Sequence, residues 1–196
     1  FDPLLHEKFK KTLRFSLTNA QENAFREICI DLQKKVPMLR LLQGDVGSGK
    51  TLVALLACLQ AHGAGCQSVL LAPTEILAEQ HFKKFKELLS PLDINVVNLH
   101  SSQTRAERKT TLEQIQSGEA SIIIGTHSVF QAEVSYFKLA LAVIDEQHRF
   151  GIGQRIALLR KAPKGSAMHQ LVMTATPIPR TYALTIYGDM DVSNIK

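Results

Sequence analysis

Leu39-Arg40-Leu41-Leu42-Gln43-Gly44-Asp45-Val46-Gly47-Ser48-Gly49-Lys50-Thr51 is the stretch that decides how this chain folds. An apolar run ends in G-x-x-x-x-G-K-T, and an apolar helical pattern over 50–61 starts from it. Strand, glycine loop and helix in that order make the match a phosphate-binding loop rather than a glycine-rich turn that happens to end in Lys-Thr. Glycines let the loop curl until successive N–H groups converge on one point, and the helix N-terminus behind adds partial positive charge. Gly44, Asp45, Val46, Gly47, Ser48 and Gly49 are the expected cradle. Lys50 is expected on the β- and γ-phosphates of a nucleotide, and the Thr51 hydroxyl on Mg²⁺.

Outward from the loop, short apolar runs alternate with longer amphipathic ones. Strands are predicted at 39–43, 68–72, 95–99, 121–124, 139–145 and 170–174, and crossover helices at 50–61, 75–89 and 105–116. Near-continuous apolar strands are buried on both faces, and parallel neighbours need helical crossovers. The predicted fold is therefore α/β: an open, mostly parallel sheet with helices on both faces. Residues 1–14, with Lys8, Lys10, Lys11 and Arg14, read as a connecting segment from a preceding domain. Ala183 to Tyr187 reads as a further strand-like run before a polar end.

A phosphate loop also needs a carboxylate for the metal and a group to orient the attacking water. The apolar run 139–145 ends in Asp145-Glu146-Gln147-His148, at the carboxyl end of a buried strand, where open α/β sheets collect their ligands. Asp145 is expected to reach Mg²⁺ mainly through its water shell, and Glu146 to polarise the water, with Lys50 the third catalytic candidate.

Bulk properties narrow the partners less. With 196 residues, 45% hydrophobic and 21% charged, the chain suits one ordinary globular domain. A net charge of +5 suits a phosphate-rich partner, yet many enzymes without one are as basic. Trp is absent, which leaves no dense aromatic platform for stacking bases. Cys29, Cys58 and Cys66 are odd in number and form no C-x-x-C pair, which argues against a zinc site or disulfide framework and for a reducing, cytoplasmic setting. No apolar run approaches the ~18 residues that span a bilayer, so no membrane role is expected. The start lacks an initiator Met and the regions of a signal peptide, as expected of an excised piece.

Asp-Glu-x-His after a phosphate loop resembles motif II of the superfamily 2 helicases. Three longer strings are similar to the RecG family of branched-DNA helicases within it: 42–51, Asp145-Glu146-Gln147-His148-Arg149-Phe150-Gly151, and Met173-Thr174-Ala175-Thr176-Pro177-Ile178-Pro179-Arg180-Thr181. The resemblance runs from about Phe15 to the end. Transcription-repair coupling factors resemble the last two strings but typically carry Phe at the position of Ser48 and Glu at that of Gln147. A translocase of that kind is the alternative.

The resemblance implies that 15–196 is the first RecA-like motor domain of an ATP-dependent DNA helicase that remodels forked or branched DNA. It implies a Q motif at 15–21, with Gln21 reading the adenine edge and Phe15 packing on the base. Thr18 and Gln21 also spell a capping box for a helix through Lys35, and the two roles are compatible. It implies DNA-binding turns at Pro73-Thr74 and Gly125-Thr126, which alone would read as strand-to-helix turns with capping threonines. Coupling of hydrolysis to DNA is implied for His148, Thr174 and Thr176. A second RecA-like domain with arginine fingers and an N-terminal wedge domain are implied as partners. Two other classes stay open: a P-loop phosphotransferase, which would turn over without nucleic acid, and a non-catalytic nucleic-acid module, which would not bind nucleotide with Mg²⁺.

Overall fold

The structure is a computed structural model that describes residues 2–145, 152–166, 168–177, 179, 181 and 190–195. Chain order is α1 (Pro3–Thr12), α2 (Asn19–Leu32), β1 (Leu39–Gly44), α3 (Lys50–Gly63), β2 (Gln67–Leu71), α4 (Glu75–Leu89), β3 (Val96–Leu99), α5 (Arg105–Ser117), β4 (Ile122–Gly125), β5 (Leu139–Asp145), α6 (Ile152–Leu159), β6 (His169–Thr174) and β7 (Asp191–Ile195). The strands form one sheet in the order β3-β4-β2-β5-β6-β1-β7, and every pairing is parallel. All carboxyl ends therefore lie along one rim.

Successive strand residues point to opposite faces, and here both faces are covered. Leu42, Leu70, Ile122, Ile124, Val143, Leu171 and Met173 pack with Phe9 of α1, Ile28 of α2, Leu55 and Leu59 of α3, and Phe85 and Leu89 of α4. Leu41, Val69, Ile123, Ala142, Ile144 and Val172 pack on the other side with Ile115 of α5 and Leu158 of α6. Helix α3 is buried along most of its length, as its nearly all-apolar sequence requires.

Several differences from the sequence reading are informative. Residues expected only to connect form α1, capped by Asp2, whose Oδ1 accepts from Leu4 N (3.1 Å) and Leu5 N (3.2 Å), with Pro3 in the first turn. Its Phe9 is fully buried, and its His6 ring stacks on Phe25 with centroids 4.6 Å apart. Helix α2 stops at Leu32 rather than Lys35, three residues short, as the extended backbone demanded before Pro37 comes near. The polar end, expected to trail off, contributes β7, which pairs with β1 from Arg40↔Asp191 to Gly44↔Ile195. The strand-like run 183–187 lies outside the described residues.

Beneath the loop-bearing strand lies an ionic cluster. The buried Arg40 guanidinium meets Asp31 through Nε (2.8 Å) and Nη2 (2.7 Å), and Glu27 and Ser193 through Nη1 (3.2 and 2.9 Å). It joins β1 to α2 and β7. Burial pushes the Asp31 carboxyl up, but bonds from Lys34 and Arg40 outweigh this and leave it below its ordinary value. Among the described residues, no helix is long and apolar enough to cross a membrane.

Candidate functional site

The 44–51 loop closes β1 and opens α3, as read. Gly47 (φ 83°) and Gly49 (φ 85°) adopt left-handed backbone that L side chains rarely take, which is why the turn needs glycine there. Ser48 N donates to Asp45 O (3.1 Å), and α3 begins with Leu52 N and Val53 N donating to Gly49 O. The N–H groups of Gly47, Gly49, Lys50 and Thr51 find no acceptor among the described residues. Lys50 folds back over the loop mouth, its Nζ donating to Gly44 O (2.6 Å) and Asp45 O (2.9 Å). Free N–H groups beside an ammonium held only by carbonyls fit a polyanionic phosphate chain. Val46 is almost fully exposed at the tip, and Thr51 is half-buried in the first turn of α3.

Gln21 is buried and serves two structures at once. Thr18 N donates to its Oε1 (3.0 Å), Gln21 N donates to Thr18 Oγ1 (3.2 Å), and its Nε2 donates to Ser48 O (3.0 Å). The capping box is thus present, and the same carboxamide joins α2 to the phosphate loop. Phe15 stands exposed nearby in sequence, available to an external ring.

Strand register sets the other expected residues in line. Gln43, which leads into the loop, is level with Thr174, Met173 with Asp145, Ile144 with Leu71, and Leu71 with Gly125. The rim therefore reads phosphate loop, Thr174, Asp145, then the turns at Pro73-Thr74 and Gly125-Thr126. Thr174 is buried, and its Oγ1 accepts from Thr176 N (3.1 Å), closing the turn after β6. Thr74 caps α4, its Oγ1 accepting from Leu77 N (3.2 Å). A Cβ at Gly125 would lie 2.7 Å from Leu99 O, so that turn also requires glycine. Thr126 precedes the short helical turn His127–Phe130. Glu146, Gln147 and His148 lie outside the described residues.

Sequence reasoning missed two features. His81 of α4 hydrogen-bonds Asp145, Nε2 to Oδ2 at 2.7 Å. Glu75, in the first turn of α4, accepts from Ser101 N (2.9 Å) and Ser101 Oγ (2.6 Å), and these bonds hold its carboxyl below its ordinary value. A signal for His81 existed: with Ala78 and Phe85, both buried, it continues the inward stripe of α4. Among the described residues no three His, Cys, Asp or Glu side chains gather as a metal cage. A hydroxyl at Thr51 and one carboxylate at Asp145 suit an ion held largely by phosphates and water, as Mg²⁺ usually is.

A parallel sheet with this loop after β1, an acidic end to β5 and a Thr-x-Thr end to β6 defines a P-loop nucleotide-binding domain of the RecA-like class. The chain belongs to the DEAD/DEAH box helicase family, whose sequence profile matches residues 18–184, and the family implies ATP as the nucleotide. Within that family it is similar to RecG proteins. It is 52% identical over 192 residues to the ATP-dependent DNA helicase RecG of Haemophilus influenzae, covering 97% of this chain and 28% of that protein. With RecG of Aquifex aeolicus it shares 51% over 183 residues, 93% of this chain and 23% of that one. A solved structure of RecG bound to a three-way DNA junction superposes with a TM-score of 0.87 at 42% identity, covering 100% of this chain and 26% of that chain. The chain thus spans under a third of the length of these relatives. A structure of yeast Dbp5, 22% identical with a TM-score of 0.68, shares the fold.

Proposed function

We propose that this chain is the first motor lobe of an ATP-dependent DNA helicase that remodels branched or forked DNA. The observation that carries the reading is the single rim on which the phosphate loop, Thr174, Asp145 and the turns at Pro73-Thr74 and Gly125-Thr126 stand side by side. Likeness to RecG proteins over nearly the whole chain, one of them solved on a three-way junction, supports the branched-DNA substrate.

On this reading the loop N–H groups and Lys50 hold the β- and γ-phosphates, Phe15 packs on adenine, and Gln21 reads its edge. Thr51 and Asp145 would hold Mg²⁺, the latter mainly through water; when bound, the ion neutralises charge on the transferring phosphate. Glu146 orients and deprotonates the attacking water. Pro73, Thr74, Gly125 and Thr126 hold DNA phosphates through backbone N–H groups and hydroxyls, contacts that position rather than read sequence. His148, Thr174 and Thr176 pass the state of the nucleotide to the DNA side. Residues 15–196 form the lobe, and 1–14, whose helix α1 packs on that lobe through Phe9, join it to a wedge domain. A second RecA-like domain supplies the arginine fingers, so this chain alone binds nucleotide modestly and turns it over little, since such a finger is worth roughly 10³–10⁵ in rate.

The test separates the two acids in the full-length protein. Glu146→Gln keeps size and hydrogen bonding but loses the base, so single-turnover hydrolysis should drop by about 10² or more while ATP and DNA binding persist. Asp145→Asn should weaken the Mg²⁺ dependence of nucleotide binding as well. Normal turnover by Glu146→Gln would remove it from the mechanism.

A further inference from the structure

Asp145 does not stand alone at the end of β5. A carboxylate only accepts, so His81 Nε2 donates the 2.7 Å bond to Oδ2. Asp145 Oδ1 has no hydrogen-bond partner among the described residues. A free carboxylate rotates through a broad two-fold range, and pinning one oxygen leaves the other presented in one direction. The imidazole is itself held, since Ala78 and Phe85, one turn to either side on α4, are buried in the core. The same helix starts at Thr74, whose hydroxyl caps it, and its Glu75 is fastened to Ser101. One rigid element thus runs from the Pro73-Thr74 turn to a group touching Asp145.

We propose that His81 is a positioning residue for the metal-binding carboxylate, and that through it α4 ties Asp145 to the turn at Pro73 and Thr74. The proposal rests on the reading of Asp145 given above. Hydrogen bonds from outside the coordination shell orient metal ligands, and their loss typically costs about 10–100-fold in metal affinity or activity. A shift of α4 when its first turn meets DNA would move Nε2 and with it the carboxylate. Mg²⁺ affinity and DNA stimulation would then share one side chain.

The experiment uses the full-length protein with His81→Ala, His81→Gln, His81→Asn and Asp145→Asn. Mg²⁺ is titrated against binding of a fluorescent ADP without DNA, and hydrolysis is compared with and without a forked duplex. His81→Ala should raise the Mg²⁺ half-saturation about tenfold and lower the stimulation by DNA. His81→Gln should restore both, because its amide nitrogen reaches where Nε2 stood, whereas His81→Asn, too short, should not. An unmoved half-saturation in His81→Ala, with Asp145→Asn shifted, would overturn the proposal and leave the metal reading standing. No shift in Asp145→Asn would overturn both. Equal loss in all three His81 variants, together with a lowered melting temperature, would reduce His81 to packing. A Mg²⁺ shift with unchanged DNA stimulation would overturn the link to the turn.

Discussion

The phosphate loop and the Asp145 corner stand on the same rim, yet they are built in opposite ways. The loop is made of neighbours in the chain: eight consecutive residues whose own glycines, carbonyls and lysine set its shape, with Gln21 as the main outside brace. The corner is a single side chain oriented by a residue 64 positions earlier. Backbone groups that must converge on a phosphate can be specified by local sequence, because glycine and helix geometry dictate them. A side chain that must point one way at a strand end needs something from elsewhere in the fold.

That contrast can be broken by attacking what each side stands on. The largest effect is expected from Arg40→Leu, which leaves the buried Asp31 with Lys34 alone and loosens β7 and α2 from the loop-bearing strand. Removing one partner from such a cluster should lower stability by about 3 kcal/mol, read by denaturant unfolding. Hydrogen exchange should then show β1 and β7 opening before β5. Uniform loss across the sheet would mean that the two regions share one foundation.

Gly49→Ala tests whether the loop is self-sufficient. It forces a side chain into left-handed backbone and sets a Cβ 2.1 Å from Gln21 Nε2. A cost of about 2 kcal/mol follows from strain plus a lost hydrogen bond, roughly a 30-fold loss of ADP affinity by calorimetry. The Mg²⁺ dependence of what binding remains should be unchanged. The converse change is Thr74→Ala, which removes the cap of α4 and should cost about 1 kcal/mol. It should disturb the Mg²⁺ dependence of nucleotide binding while leaving the loop intact. An altered ADP affinity at saturating Mg²⁺ would undo the separation.

The smallest expected effect is set by pH. Burial lowers the pKa of His6, His62 and His169 below the ordinary 6.5. The unfolded chain therefore takes up protons first, and stability should be flat above about pH 7 and fall as pH drops through 6.5 toward the lower folded values. His169 Nδ1 accepts from Met38 N (2.9 Å), a bond that protonation of Nδ1 abolishes, so acid should loosen the β1–β6 join. His169→Asn keeps an acceptor without the titration and should flatten part of the slope in melting temperature. An unchanged slope would assign the effect to His6 and His62.

The same contrast governs what was legible in the sequence. Strands with continuous apolar runs were found to within a residue or so, because burial on both faces leaves few other residue choices. Helix α4 was read to its ends, since Thr74 and its apolar spacing mark it. Strand β7 was missed because Asp191, Ser193 and Asn194 give no apolar run; Asp191 and Ser193 meet Arg40, a partner visible only once β1 lies beside it. Helix α1 was legible in the Asp2-Pro3 start and the Leu5–Phe9 spacing, but its basic residues drew the reading toward a tether. The loop residues were plain in sequence, whereas His81 could be read only as one more position on a buried stripe.

The all-parallel sheet leaves its amino-terminal rim without expected site residues. Cys66 stands there, in the turn between α3 and β2, beside Gly65, around which a Cβ would meet nothing within 4 Å. The other two thiols are buried, and burial pushes Cys29 up to about 11 and Cys58 up to about 12. Attack on a maleimide needs an accessible thiolate, so of the three thiols in this chain a dye will choose Cys66. The fluorophore would sit at the opposite end of the strands from the phosphate loop, a ready-made reporter on this domain.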